Sequence, residues 1–245
     1  MQPTQRGFAP LQTLAAVAIA LAIASSALAA PKYQVLHAFG MGKGGGGLWG
    51  SLALDGKGNL YGTTSGGGLD GYGTVFELTR QANGKWTHSI LHSFENDGPD
   101  GADPTSGLIV DAAGNLYGTT GFGGTHYYGT VFEMVRQSSG WKETVLHSFG
   151  FNSQGCCPYA GVVMDGTGNL FGTASVAFKL SPGSDGWKET VLHGFTGQHG
   201  DGSGPFAGVI LDAAGNVYGT TEHGGGSGNC GGGCGRRQYW VRSCF

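Results

Sequence analysis

The chain has 245 residues, 51 of them glycine, and a formal net charge of −3. With no run of basic residues, that balance excludes nucleic acid and anionic membrane surfaces as expected partners. So many glycines would suggest low complexity if they were scattered, but here they recur at fixed offsets between apolar runs, as turn residues do.

The first thirty residues read as an export signal. Arg6 precedes an apolar stretch over 14–24, and Ala27-Leu28-Ala29 offers the small residues a signal peptidase reads. Cleavage after Ala29 is the expectation. The rival, an uncleaved anchor, needs about 20 apolar residues. The mature chain then keeps 12 Lys and Arg against 16 Asp and Glu. It carries no other stretch resembling a membrane span, so the processed protein is not expected to cross a membrane.

One phrase recurs four times beyond this point. It begins at Asp55, Asp111, Asp165 and Asp212 and runs Asp-x-x-Gly-Asn-Leu/Val-Tyr/Phe-Gly-Thr. A spacing of roughly fifty residues is the signature of a repeat architecture. In the second unit, strand-forming segments fall at 107–111, 115–120, 129–134 and 141–149, separated by Gly, Asn, Asp and Ser. The Asp-x-x-Gly-Asn stretch predicts a tight hairpin: Asp bonds backbone amides ahead of it, and Gly supplies the left-handed residue. A calcium loop is the competing reading, but one carboxylate per turn is too few oxygen donors. The first strand, for example Leu108-Ile109-Val110, is apolar on both faces, as in a strand covered from both sides.

The predicted fold is all-β, a β-propeller-like array of about four four-stranded blades. The runner-up is a β-solenoid. The units span about 48–94, 106–149, 160–195 and 207–235. Residues 33–39, Tyr-Gln-Val-Leu-His-Ala-Phe, match the end of each unit's fourth strand (Leu91-His92-Ser93-Phe94, Leu146-His147-Ser148-Phe149, Leu192-His193-Gly194-Phe195). They are expected to complete the last blade and bury an open edge. The third unit lacks a loop that its neighbours carry, and residues 236–245 break the pattern. The break suggests a longer array cut short by a frameshift or early stop.

The order Gly-Asn-Leu-Tyr-Gly-Thr-Thr, glycine loop, Tyr-Gly-Thr-Val-Phe-Glu-Leu, Trp, Val-Leu-His-Ser-Phe resembles the GloVer tandem repeat of bacterial exported "choice-of-anchor" proteins over residues 33–235. The resemblance implies an exported, propeller-like repeat protein, often with a surface anchor beyond the array. It implies no reaction and no ligand, and no anchor follows the repeats here.

Candidate sites are sparse. The histidines at 37, 92, 147 and 193 hold one equivalent place per unit, point in different directions in a radial fold, and read as structural: packed beside the following Phe and bonded to a loop carbonyl. Trp86, Trp141 and Trp187 read as packing. Five cysteines in an exported chain leave one thiol over. Cys230 and Cys234 are the disulfide candidate, and zinc on Cys230, Cys234 and His223 is the weaker reading. No metal and no cofactor are expected.

In a meander the short Asp turns occupy one face. The other receives the glycine loops (65–72, 121–128, 222–234) and the unit-to-unit loops (95–105, 150–159, 196–206), where sites tend to form. Asp97, Asp100, Asp103, His126, Tyr127, Tyr128, Tyr159, His199 and Asp201 are placed there. Tyr and His beside Asp suit a carbohydrate or a peptide from an envelope protein; solvated loops are the plain alternative. The leading function is a non-catalytic binding or structural module at or outside the cell envelope. The alternatives are a polysaccharide hydrolase or lyase, which would pair Asp100 or Asp103 with Asp201, and a non-functional fragment of a longer array.

Overall fold

The computed structural model describes residues 33–40, 42–151, 155–198 and 201–224, together with the backbone of 238–243. Every element among them is a strand. In chain order they are β1 (Ala53–Leu54), β2 (Leu60–Thr64), β3 (Thr74–Arg80), β4 (Trp86–Ser93), β5 (Gly101–Ala102), β6 (Ile109–Val110), β7 (Leu116–Thr120), β8 (Phe122–Gly123), β9 (Thr130–Gln137) and β10 (Gly140–Ser148). There follow β11 (Val163–Met164), β12 (Leu170–Ala174), β13 (Val176–Gly183), β14 (Gly186–Gly194), β15 (Gly202–Ser203), β16 (Ile210–Leu211), β17 (Asn216–Thr221), β18 (His223–Gly224) and β19 (Gln238–Ser243).

Three units form four-stranded antiparallel meanders, β1-β2-β3-β4, β6-β7-β9-β10 and β11-β12-β13-β14. The fourth has the order β16-β17-β19. Its third strand comes from 238–243, the segment that departs from the repeat in sequence, paired with β17 from Asn216↔Ser243 to Thr221↔Gln238. Residues 33–39 carry no strand of their own among the described residues. Instead Phe39 packs on Phe76 with ring centroids 4.8 Å apart, and His37 stacks on His88 at 4.4 Å.

The Asp turns form as expected. Asp55 Oδ1 accepts from the amides of Lys57 and Asn59, and Oδ2 from the Asn59 carboxamide and the Tyr61 hydroxyl. Asp111 and Asp212 repeat all four bonds. The third unit has Phe171 in place of the Tyr, and there Thr167 Oγ1 donates the missing fourth bond to Asp165. Burial opposes ionisation of Asp165, but these bonds outweigh it and hold the carboxyl down at about 2. The Tyr hydroxyl also reaches a carboxylate on the next strand, the buried Glu77 at 3.0 Å from Tyr61 and the half-buried Glu133 at 2.7 Å from Tyr117. Where Phe171 removes the hydroxyl, its cross-strand partner is Lys179, whose ammonium lies 5.6 Å from the ring centroid. The two positions change together, so no carboxylate faces Phe171 at this place in the ladder.

Packing lies between the sheets rather than within them. One core cluster joins Tyr61, Val75 and Phe94 of the first unit to Leu108, Leu116, Phe132 and Met134 of the second. The next joins Tyr117, Val131 and Phe149 to Val162, Leu170, Phe178 and Leu180, the same positions one unit on. A third joins Phe171 to Val209 and Val217. Phe94 meets Phe132 at 5.3 Å, and Phe149 meets Phe178 at 5.1 Å. Threonine hydroxyls tie the units at the inner strands: Thr63 donates to the Ser106 carbonyl, Thr119 to that of Ala160, and Thr173 to that of Ala207.

Two local devices make this docking possible. In the first three units the glycine of Tyr/Phe-Gly-Thr sits directly across the ladder from the Phe that enters the core, as Gly118 does from Phe132. A Cβ there would lie 2.7 Å from the Phe132 ring and 2.6 Å from Leu108. The outer strands β4, β10 and β14 each carry a bulge, at Leu91, Leu146 and Leu192. Residues three apart on a regular strand face opposite ways. The extra residue turns Leu91 and Phe94, and likewise Leu146 and Phe149, onto one core.

Gly118→Ala is expected to destabilise the protein by about 1–3 kcal/mol through overpacking. Gly56→Ala, with open space around it and no positive φ, should stay within about 0.5 kcal/mol. Urea unfolding of both variants checks this.

Candidate functional site

The loop sets expected to share one face are hydrogen-bonded to each other. β5, from a unit-to-unit loop, pairs with β8 of a glycine loop, and β15 pairs with β18. Residues 46 and 66 form the corresponding bridge in the first unit. Four of the sequence-predicted residues line two clefts beside these ribbons, Asp97 and Asp100 the first, Asp103 and Tyr127 the second.

The first cleft, of about 480 Å³, lies between β4 and β10. It includes His92, Glu95, Asp97, Asp100, Lys142 and Glu143 in its lining. Asp100 is committed locally: its carboxylate accepts from the amides of Glu95 and Gly101 and sits 3.3 Å from His92 Nε2. Asp201 repeats the arrangement eight residues after His193, accepting from Thr196 and Gly202 and lying 2.9 Å from His193 Nε2. Burial opposes ionisation of Asp201, but these bonds hold its carboxyl down at about 2. The histidines do pack edge-on against the following Phe, at 4.7 Å for His92–Phe94 and 4.8 Å for His193–Phe195. Their polar partner is a loop carboxylate rather than a carbonyl. Asp100 and Asp201 are therefore equivalent positions of different units, each tied to its own histidine.

Eight residues after His147 the chain has Gly155, and His147 faces Glu189 of the next unit at 3.6 Å instead. Glu143 holds the place of Glu189 one unit earlier. Burial pushes both carboxyls up to about 7; beside Glu143 the Asp100 charge adds to the rise and His92 opposes it. Burial lowers the pKa of His92, but Asp100 more than offsets it and the net shift is upward. Among the described residues no group of three or more His, Cys, Asp or Glu is placed to hold a metal ion.

The second cleft, of about 320 Å³, is lined by Tyr72, Asn96, Ala102, Asp103, Phe122, Gly123 and Tyr127. Burial raises the Asp103 pKa. Tyr159 borders Phe122 with ring centroids 6.3 Å apart and leads on to Phe206 at 5.9 Å. Tyr128 packs on Phe151, and His126 is exposed. His199, Cys230 and Cys234 lie outside the described residues. Cys156 and Cys157 are free thiols, and burial followed by the neighbouring Cys156 pushes Cys157 up to about 11.

Sequence reasoning missed Tyr72, Asn96 and Phe122, and with them the row formed by Trp49, Tyr159 and Phe206. These three hold one position of the first, third and fourth units, Trp49 and Tyr159 lying 110 residues apart and Tyr159 and Phe206 47 apart; Trp49 and Phe206 are largely exposed. Trp141 and Trp187, by contrast, pack against the cores as expected.

A carboxyl that titrates near 7 when folded and near 4.5 when unfolded keeps a proton that the unfolded chain has lost. Its contribution to stability therefore falls as pH rises across that interval. The melting temperature of Glu143→Gln/Glu189→Gln is expected to drop less between pH 4.5 and 7.5 than that of the parent, as followed by circular dichroism.

No curated protein matches the chain. Residues 22–233 match the family model described as the Gloeobacter/Verrucomicrobia repeat. That span contains all four Asp turns, the glycines opposite the core phenylalanines and the histidine-bearing outer strands, so the sequence resemblance and the repeated geometry agree: the chain belongs to the Gloeobacter/Verrucomicrobia repeat family.

Proposed function

We propose that the chain is an exported, non-catalytic repeat protein acting as a binding or structural module at or outside the cell envelope, with its sheets arranged as a β-propeller. One observation carries the non-catalytic reading. The conspicuous recurring carboxylates, Asp55, Asp111, Asp165 and Asp212, and the paired loop aspartates Asp100 and Asp201, are saturated by internal hydrogen bonds. Two free carboxylates facing each other across a substrate are what glycoside hydrolysis requires.

The propeller reading draws on the two ends of the stack. Leu108 and Val162 are buried by the preceding unit, whereas Leu52 at the same place in the first unit is 48 % exposed and its neighbour Leu54 65 %. Ile109 and Val163 pack toward the following unit, whereas Ile210 is 67 % exposed. These surfaces are the two halves of an interface that recurs inside the chain. Phe39 against Phe76 already supplies the contact that Phe94 and Phe149 make elsewhere. Closing the halves on each other would bury them, the outcome favoured by the cost of exposing apolar surface.

Leu54→Lys and Ile210→Lys are each expected to lower the melting temperature of the exported full chain by several degrees (~2–4 °C per kcal/mol for a chain of this size). Unchanged melting in both would mean that the end faces stay open and would sink the propeller. Mass spectrometry of the exported protein should give an N-terminus at Ala30; retention of residues 1–29 would sink the export reading.

A further inference from the structure

The cleft lined by Asn96, Asp103 and Tyr127 differs from its counterparts in the other units in one systematic way. All three residues adopt left-handed backbone, with φ of 55°, 56° and 65°. At the equivalent place in another unit each is a glycine. Gly197, like Asn96, stands two residues after the outer-strand Phe, with φ 68°. Gly47 and Gly204 accept, as Asp103 does, the amide that follows the Tyr-Gly-Thr strand, with φ 72° and 65°. Gly71 stands, like Tyr127, two residues before the next strand's leading glycine, with φ 89°. Glycine adopts this backbone freely; Asn and Asp tolerate it, and a tyrosine there is an outlier.

Glycine thus serves at each of the three places in at least one other unit, although the third unit has Cys157, with φ 58°, at the place of Asp103. Asn96, Asp103 and Tyr127 set side chains there against local backbone preference, and all three line one cavity. Strain of this kind gathers at ligand sites. The side chains so placed, with Tyr72 and Phe122 beside them, combine exposed aromatic rings with a carboxamide and a carboxylate. Tyr127 is 61 % exposed, and Phe122 and Tyr72 are also exposed. The volume of about 320 Å³ falls within the range of about 300–1,000 Å³ of small-molecule sites.

We propose that this cleft binds a sugar unit of a neutral polysaccharide, its ring faces covered by Tyr127, Phe122 and Tyr72 and its hydroxyls held by Asn96 and Asp103. The negative face of an aromatic ring attracts the weakly positive C–H face of a pyranose, and hydroxyls donate to the carboxamide and carboxylate oxygens. A phosphate or carboxylate group has no counterpart here, since no Lys or Arg lines the cleft. The aromatic row leads from Phe122 through Tyr159 to Phe206, which suits a chain of sugars rather than a single one. The assignment rests on the reading of the protein as a binding module and names its ligand class.

Affinity electrophoresis of the full chain in gels containing soluble β-glucan, xylan or galactomannan tests it. At least one polysaccharide should retard the parent protein. Tyr127→Gly, which restores the residue the first unit uses, should keep or raise the melting temperature yet weaken retardation at least tenfold. Asp103→Gly should behave likewise, and Lys57→Ala on the opposite turns should migrate as the parent does. No retardation of the parent in any of the three gels would overturn the saccharide assignment. Equal retardation of the parent and Tyr127→Gly would overturn the site. Shortening of the polysaccharide would instead overturn the non-catalytic reading, a failure separable from loss of retention.

Discussion

The first three sheets depend on one contact: a phenylalanine from the chain segment before each sheet reaches in to meet a second phenylalanine that lies over a glycine. Phe94 on Phe132 over Gly118 and Phe149 on Phe178 over Gly172 are two instances, and Phe39 on Phe76 over Gly62 is a third. A four-stranded sheet with two apolar faces cannot bury either face alone. Stability in such an array is a sum over neighbours rather than over sheets. The glycine is indispensable because the ring occupies the volume a side chain would need.

The turns and the tyrosine–glutamate pairs serve that contact from the far side. Asp with four donors fixes the hairpin so firmly that the two strands meet in one register, and register decides which residue faces which core. The third unit shows how tightly the parts are coupled. Phe171 replaces Tyr, Lys179 replaces Glu, and Thr167 supplies the hydroxyl that the turn loses. Together the changes preserve a satisfied turn, where Phe171 opposite a glutamate would have left that carboxylate without its tyrosine donor.

Much of the fold is legible in the sequence because the repeat writes it several times. The Asp turns, the strand boundaries of the second unit and the two-faced apolar strands are all read from local pattern. The bulges at Leu91, Leu146 and Leu192 are not, since a strand with one extra residue reads much like a regular one. The site was half legible. Asp103 and Tyr127 stand out by residue type, but Asn96 and Phe122 become visible only when backbone angles and cavity walls are compared between units. Asp100 and Asp201 looked like a pair because both are acidic loop residues. Their histidines eight positions back, in separate units, show them to be two copies of one tie.

The outer-strand bulge has a consequence for association with other chains. β4, β10 and β14 are edges, and an edge strand offers a row of unpaired amides and carbonyls to any passing chain. The extra residue at Leu91, Leu146 and Leu192 breaks the spacing of that row and twists its end away. A foreign strand could lie along only part of each edge, so the kink that brings Leu and Phe to a common core also guards the array against fibril growth.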